Sequence, residues 1–350
     1  MMLLCTRLAS KGVLISLVVT KEWLGFLTSA QEPPPNVRLL SIPNVLPSEV
    51  SRAADVTGFM EAVHTNMEEP ADHRLLSSIE TVSFIIADMF ISWAADVAWR
   101  RGIPVALLYP MAATVFSCSC HSTSCRATMR FRKCYQQVKQ AKSILINSFY
   151  ELECTTIDAL RTSLPCQILP IGPLFPSQLS YVDWSSWLDS QPHGSTLYVS
   201  LGSIMMPSSR QQEELAYGLV ESRVQFVDIC TNKGLIVPWC SQIKVLRHPS
   251  VGGFLTPCMW NSTMEGVLAG VQMLAFPINF DQQTNSKLVA EDWKVGLRTR
   301  RGPMDEMEVV GRDEIAKIVR RELKEAAEKA LERGGSSEAN LNALIDAING

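Results

Sequence analysis

A chain of 350 residues, 47% apolar and 19% charged, has room for two ordinary domains and excludes the disordered and fibrous classes. A formal net charge of −3 gives no electrostatic case for nucleic acid or an anionic membrane as partner. Ten cysteines at irregular spacing fit a reducing compartment better than a disulfide framework.

In chain order, MMLLCTRLASKGVLISLVV has the short apolar run of a signal peptide, but Lys21, Glu22 and Trp23 stand where a small-residue cleavage site would be. A helix from Met2 to Lys11, closed by Gly12, and a buried strand over 13–19 explain it better. No apolar stretch reaches the roughly 18 residues that span a bilayer, so a cytoplasmic protein is expected. Further strand-like runs lie at 38–43, 81–88, 103–109 and 143–149, with helical patterns between them. The clearest helix is FISWAADVAWRRG at 90–102. Apolar runs without period-2 alternation predict strands buried on both faces, as in parallel sheets. Cys118, Cys120, His121 and Cys125 form the densest group of metal-ligand types. They lack a second pair at zinc spacing and read as incidental thiols; no metal and no cofactor are expected.

A Pro- and Ser-rich stretch over 173–192 reads as a linker between a first domain, 1–172, and a second, 193–350. The second half restarts with a strand at 195–203 and a helix at 208–222. Strands follow at 224–230, 234–239, 251–256 and 271–276, with helices near 259–269 and 281–293. Helices at 313–332 and 336–348 close the chain. The fold class is α/β: two doubly wound, Rossmann-like domains.

Open α/β sheets bind ligands beyond the carboxyl ends of their strands, where helix N-termini favour anions. Trp260, Asn261 and Ser262 lie at such a junction, directly after GGFLT, and Glu265 sits one turn deeper. Singly, each has an ordinary explanation: Asn261 and Ser262 as caps, Glu265 as a partner of the helix dipole.

Together they belong to the run WCSQIKVLRHPSVGGFLTPCMWNSTMEGVLAGVQMLAFPINFDQ, from Trp239 to Gln282. This run resembles the signature box of plant UDP-dependent glycosyltransferases that modify small secondary metabolites. The matches include Trp239, Gln242, His248, Gly252, Cys258, Trp260-Asn261-Ser262, Glu265, Pro277 and Asp281-Gln282. The resemblance implies a two-domain GT-B fold, with an acceptor-binding N-terminal half and a UDP-sugar-binding C-terminal half. Trp239 would stack on uracil, Gln242 and Glu265 would bind ribose, and the Trp260-Asn261-Ser262 segment would meet the diphosphate. Asp281 and Gln282 would hold hydroxyls of the sugar, and Ser203 would approach the phosphates. The partners implied are a UDP-sugar and a small molecule with a hydroxyl group, the protein acting as a monomer. In the FIIADMFISWAADVAWRRGIPV block, Asp88 matches the acidic residue that orients the family's catalytic histidine.

Three departures stand against the pattern. None of the five histidines precedes His64, so the chain is expected to start after the family's first strand and catalytic histidine, leaving the N-terminal domain incomplete. The inner edges of that sheet are then expected either to stay unpaired or to pair directly. Pro257 stands where the family has a phosphate-contacting histidine, and Met259 where it has a glycine. These departures favour an alternative: a truncated family member, or residual nucleotide-sugar binder, without turnover. A nicotinamide dehydrogenase on the same fold class is disfavoured because no GxGxxG follows any strand.

Overall fold

The amphipathic opening segment folds as α1 (Met2–Ala9), and its two apolar edges set the layout of the N-terminal half. The structure, a computed structural model, describes residues 1–30, 32–48, 55–78, 82–121, 132–174, 185–202, 207–222, 224–228, 235–236, 240–299, 309–317 and 319. It divides into two units, Met1–Pro176 and Ser177–Gly350, with the division inside the Pro- and Ser-rich stretch.

In the first unit, β1 (Ile15–Thr20) and β2 (Val37–Ile42) flank α2 (Lys21–Ala30) and pair in parallel, from Ile15↔Val37 to Thr20↔Ile42. Helices α3 (Val56–Asn66) and α4 (Glu68–Ser78) follow. A separate four-stranded parallel sheet has the order β3 (Ile85–Asp88), β4 (Val105–Tyr109), β5 (Ser143–Ile146), β6 (Gln167–Pro170). Its crossovers carry α5 (Ser92–Arg100), α6 (Ala113–His121), α7 (Arg132–Gln136) and α8 (Tyr150–Ser163). Strands β4 and β5 are buried throughout, whereas β1 and β3 are only partly covered. Among the described residues, β1 and β3 each pair on one side only, so the sheet is in two pieces. α1 straddles them: Leu4 packs with Ala106, Leu108 and Leu145, while Cys5 and Ala9 pack with Val37. The Arg7 guanidinium fastens the same helix by donating to the Ile171 and Pro173 carbonyls at 3.1 and 2.7 Å. In α8, Glu153 reaches back to the start of α6. There its buried carboxylate accepts from the Ala113 and Thr114 N–H groups and from the hydroxyls of Thr114 and Ser148.

The second unit holds one six-stranded parallel sheet. Its order is β12 (Gly296–Arg298), β11 (Gln272–Ala275), β10 (Val251–Thr256), β7 (Thr196–Val199), β8 (Gln225–Asp228), β9 (Leu235–Ile236). Alternate residues of one strand feed opposite cores: Tyr198 stacks on Phe254 on one face, and Leu197 and Val199 meet Leu255 and Leu274 on the other. Burial of both faces is why these strands read as continuous apolar runs. The helices are α9 (Ser185–Asp189), α10 (Ser209–Ser222), α11 (Gln242–Leu246), α12 (Trp260–Ala269), α13 (Gln282–Lys287) and α14 (Arg312–Lys317). Gly252 and Gly296 are close-approach glycines of this sheet, since a Cβ at either would sit 2.1 Å from a backbone carbonyl oxygen, that of Gly194 or of Met273.

The doubly wound α/β class is what the alternation of elements predicts, with three differences of detail. The stretch read as linker contains α9, because Leu188 is 1% exposed in the second unit's core and Trp187 packs beside it. Strands β6 and β12 are missing from the sequence reading; each is three or four residues at a sheet edge, too short for a periodic signal. The helix expected over 281–293 is α13 followed by a π turn, Leu288–Asp292. α14 is described only to Lys317, and the rest of the helices expected at 313–332 and 336–348 lies outside the described residues, as does Cys125.

Candidate functional site

The order of the second sheet fixes where a ligand can enter. From β7 the chain runs outward through β8 and β9, then returns to lay β10 against the other side of β7. The switch point is therefore between β7 and β10, and their carboxyl ends open onto Ser200–Gly202 and Pro257–Met259. Helix α12 begins immediately after that second loop, so its N-terminal N–H groups face the crevice end of the sheet.

Three of the expected site residues meet there. Gln242, the first residue of α11, donates from Nε2 to the Ser262 hydroxyl at 3.2 Å and to Glu265 Oε2. Burial pushes the Glu265 carboxyl above the usual carboxylate range, and the Gln242 hydrogen bond pulls it back. Beneath this cluster, burial raises the Cys240 thiol, which is hydrogen-bonded to the Tyr198 hydroxyl. Asn261 is exposed and Ser262 half-buried. Trp260 is 2% exposed and its ring packs on Trp293 at 6.2 Å between centroids, so its indole is not offered to the crevice. Ser203 and Trp239 lie outside the described residues.

Asp281 and Gln282 stand at the start of α13 and face inward. Gln282 is fully buried, and its Oε1 accepts from the Ile278 and Asn279 N–H groups at 2.6 and 2.8 Å. Its Nε2 has no partner among the described residues. The Asp281 carboxyl, 7% exposed, is raised by burial to about 6. Hydrogen bonds from Asn285 Nδ2, from its own backbone and from the Trp260 N–H oppose that rise. The fully buried Asn285 was not singled out by sequence reasoning; it lies beyond the matched run, and its role exists only through long-range contacts.

The Asp281 shift has a sign. The folded state holds the proton more tightly than an ordinary aspartate at 3.8. The stabilisation that the protonated form provides is fully present below the unfolded value and is lost as pH rises through about 6. At neutral pH the ionised group costs on the order of 3 kcal/mol. Asp281→Asn keeps an oxygen for the Trp260 N–H without the buried charge. Its melting temperature is expected to equal or exceed that of the parent at pH 7.5 and to lose this advantage at pH 5. A lower Tm at pH 7.5 in a thermal melt would count against the buried-carboxylate account.

The first unit presents Asp88 at the carboxyl end of β3. Burial raises its carboxyl, and the Phe90 N–H, donating to Oδ1 at 2.9 Å, lowers it. Among the described residues that N–H is its hydrogen-bond donor, so no imidazole is oriented by it. The nearby His64 ring faces the Ser92 hydroxyl at 3.5 Å. In the second unit, His248 bridges Asp189 and Ser250.

Pro257 is buried directly after β10. Cys258 adopts a left-handed φ of 65°, while Met259 takes an ordinary φ of −58°. A glycine at 259 is therefore not required by the backbone, and the effect of methionine there rests on its side chain alone. Among the described residues, no helix is long and apolar enough to cross a membrane.

Comparison with known proteins agrees with this geometry. A family model described as UDP-glucoronosyl and UDP-glucosyl transferase matches residues 178–309. UDP-glycosyltransferase 87A2 of Arabidopsis thaliana is 34% identical, covering 99% of this chain and 92% of the relative. That alignment has 424 positions against 350 residues here, so at least 74 positions (424 − 350) have no counterpart in this chain. UDP-glycosyltransferase 87A1 of the same plant is 32% identical over 99% of this chain and 97% of its own length. Among solved structures, Arabidopsis thaliana UGT89C1 complexed with UDP-L-rhamnose superposes with a TM-score of 0.78 at 26% identity, covering 99% of this chain and 94% of that one. Fold and sequence agree: the chain belongs to the plant UDP-glycosyltransferase family, with the two Rossmann-like domains of the GT-B fold.

Proposed function

We propose that the second unit binds a UDP-sugar and that the protein transfers the sugar, glucose, to a hydroxyl of a small plant metabolite of the phenolic or flavonoid kind. The observation that carries this is the Gln242–Ser262–Glu265 cluster at the β7/β10 switch point. An amide and a carboxylate side by side suit the vicinal hydroxyls of ribose. The first turn of α12, with Asn261 and Ser262, suits the diphosphate. Trp239 stacks on the uracil, Ser203 approaches the phosphates, and Asp281 and Gln282 hold sugar hydroxyls, Gln282 through its unpartnered Nε2. The acceptor oxygen forms its bond to the anomeric carbon as the bond from that carbon to the UDP oxygen breaks on the opposite face. The configuration inverts, UDP leaves with the electron pair, and the proton of the acceptor hydroxyl passes to water or another base as the new bond forms. The growing charge on the diphosphate falls where preorganised N–H donors are most effective. No metal or cofactor is needed for these steps. The first unit holds the acceptor, and the protein works as a cytoplasmic monomer.

Specific observations also favour a second reading, a nucleotide-sugar binder without turnover. Asp88 has no imidazole partner among the described residues, and Pro257 removes a phosphate contact. Two measurements on one preparation separate the readings: UDP-glucose binding by calorimetry, and product formation with a panel of phenolic acceptors. Turnover supports the transferase, whereas binding without product supports the second reading. Absence of binding would sink both.

A further inference from the structure

The loop between β10 and α12 is held from behind by one side chain. Asn285, fully buried in α13, donates from Nδ2 to the Cys258 carbonyl at 2.9 Å and to Asp281 Oδ2 at 2.7 Å. Cys258 is the residue with φ of 65°, a left-handed conformation that is strained for a residue bearing a side chain. Its N–H is taken by the Thr256 hydroxyl at 3.2 Å, so both sides of the turn are tied down. The peptide joining Cys258 to Met259 is trans, and a trans peptide points its C=O and N–H in opposite directions. With the carbonyl turned inward to Asn285, the Met259 N–H points away from it, and among the described residues that N–H has no hydrogen-bond partner. The same Asn285 amide fixes the Asp281 carboxylate, which in turn receives the Trp260 N–H at the start of α12.

We propose that Asn285 is a positioning residue for the donor: by holding the Cys258 carbonyl and the Asp281 carboxylate, it aims the Met259 N–H and the first turn of α12 at the diphosphate. This rests on the reading of the second unit as a UDP-sugar site. It also explains how phosphate binding can persist although Pro257 supplies neither an imidazole nor an N–H: the replacement donor is backbone and is set by a residue outside the signature run.

The test compares UDP with uridine, which shares the base and ribose but has no phosphate. Binding of UDP is measured by calorimetry, and that of uridine by ligand-observed NMR. Asn285→Ala is expected to weaken UDP by about tenfold, the value of one well-placed hydrogen bond to a charged group, and to leave uridine within about twofold. Asn285→Leu, which keeps the volume, carries no charge and has no donor, is expected to show the same selective loss and serves if the alanine variant does not fold. Equal weakening of UDP and uridine, or unchanged UDP affinity, overturns the proposal. Failure of the parent protein to bind UDP would instead overturn the functional reading on which it rests.

Discussion

Sugar transfer by this chain to a phenolic acceptor is expected to run roughly 10²–10⁴ times slower than transfer assisted by a positioned base, the range such a base contributes. Added imidazole is expected to recover part of the difference. The acceptor hydroxyl must lose its proton as it attacks, and an imidazole titrating near neutrality is matched to that task. Asp88 cannot substitute. Burial raises its carboxyl, but it stays a weak base for a hydroxyl, and its hydrogen bond is spent on the Phe90 N–H two residues away. His64 is turned to Ser92, and His248 belongs to the other unit's Asp189–Ser250 bridge. The rescue should grow as pH rises through the pKa of free imidazole, because only the neutral ring accepts a proton. Turnover that added imidazole does not raise would mean that another group takes the proton.

The second large effect concerns the divided sheet. Backbone amides of β1 and β2 are expected to exchange with deuterium faster than those of β4 and β5 by roughly 10²-fold or more, the span between local and global opening. Strands β4 and β5 are paired on both sides and buried throughout, so their amides open only with the whole unit. Among the described residues, strands β1 and β2 pair only with each other, and a two-stranded sheet is marginal unless something packs on it. Here α1 does that, through Cys5 and Ala9 against Val37. Cys5→Asp, which places a carboxylate on that seam, should widen the difference further. Equal protection across the four strands, read by mass spectrometry on peptic fragments, would show that the two pieces act as one sheet.

Much of this was legible in the sequence, and the exceptions have physical causes. The buried runs of β4, β5, β10 and β11 are continuous apolar segments, and a helix directly after β10 follows from the alternation of elements; Asn261 and Ser262, read as caps, instead lie inside its first turn, the N-cap being Met259 with no side-chain hydrogen bond. The Gln242–Glu265 pair could be named because both residues match a known pattern, although 23 positions separate them in the chain. What could not be read was direction. Gln282 matches the pattern, yet its amide oxygen is turned back onto the Ile278 and Asn279 N–H groups. Trp260 matches too, but its ring fills the core beside Trp293. The left-handed φ at Cys258 and its support by Asn285 have no local signal, since cysteine carries no preference for that region and the two residues meet only through the fold. Likewise the sequence leaves open whether β1 and β3 pair with each other; among the described residues each pairs on one side only.

The central claim is that the cluster at the β7/β10 switch point is a UDP-sugar site. Calorimetric titration of UDP-glucose into the parent protein and into Glu265→Ala tests it most directly. The parent is expected to bind in the micromolar to millimolar range of ordinary substrates. Removing the carboxylate is expected to weaken that binding by roughly 10- to 100-fold, the value of hydrogen bonds to a charged group. Equal affinity of the two proteins, or no binding by the parent, would contradict it.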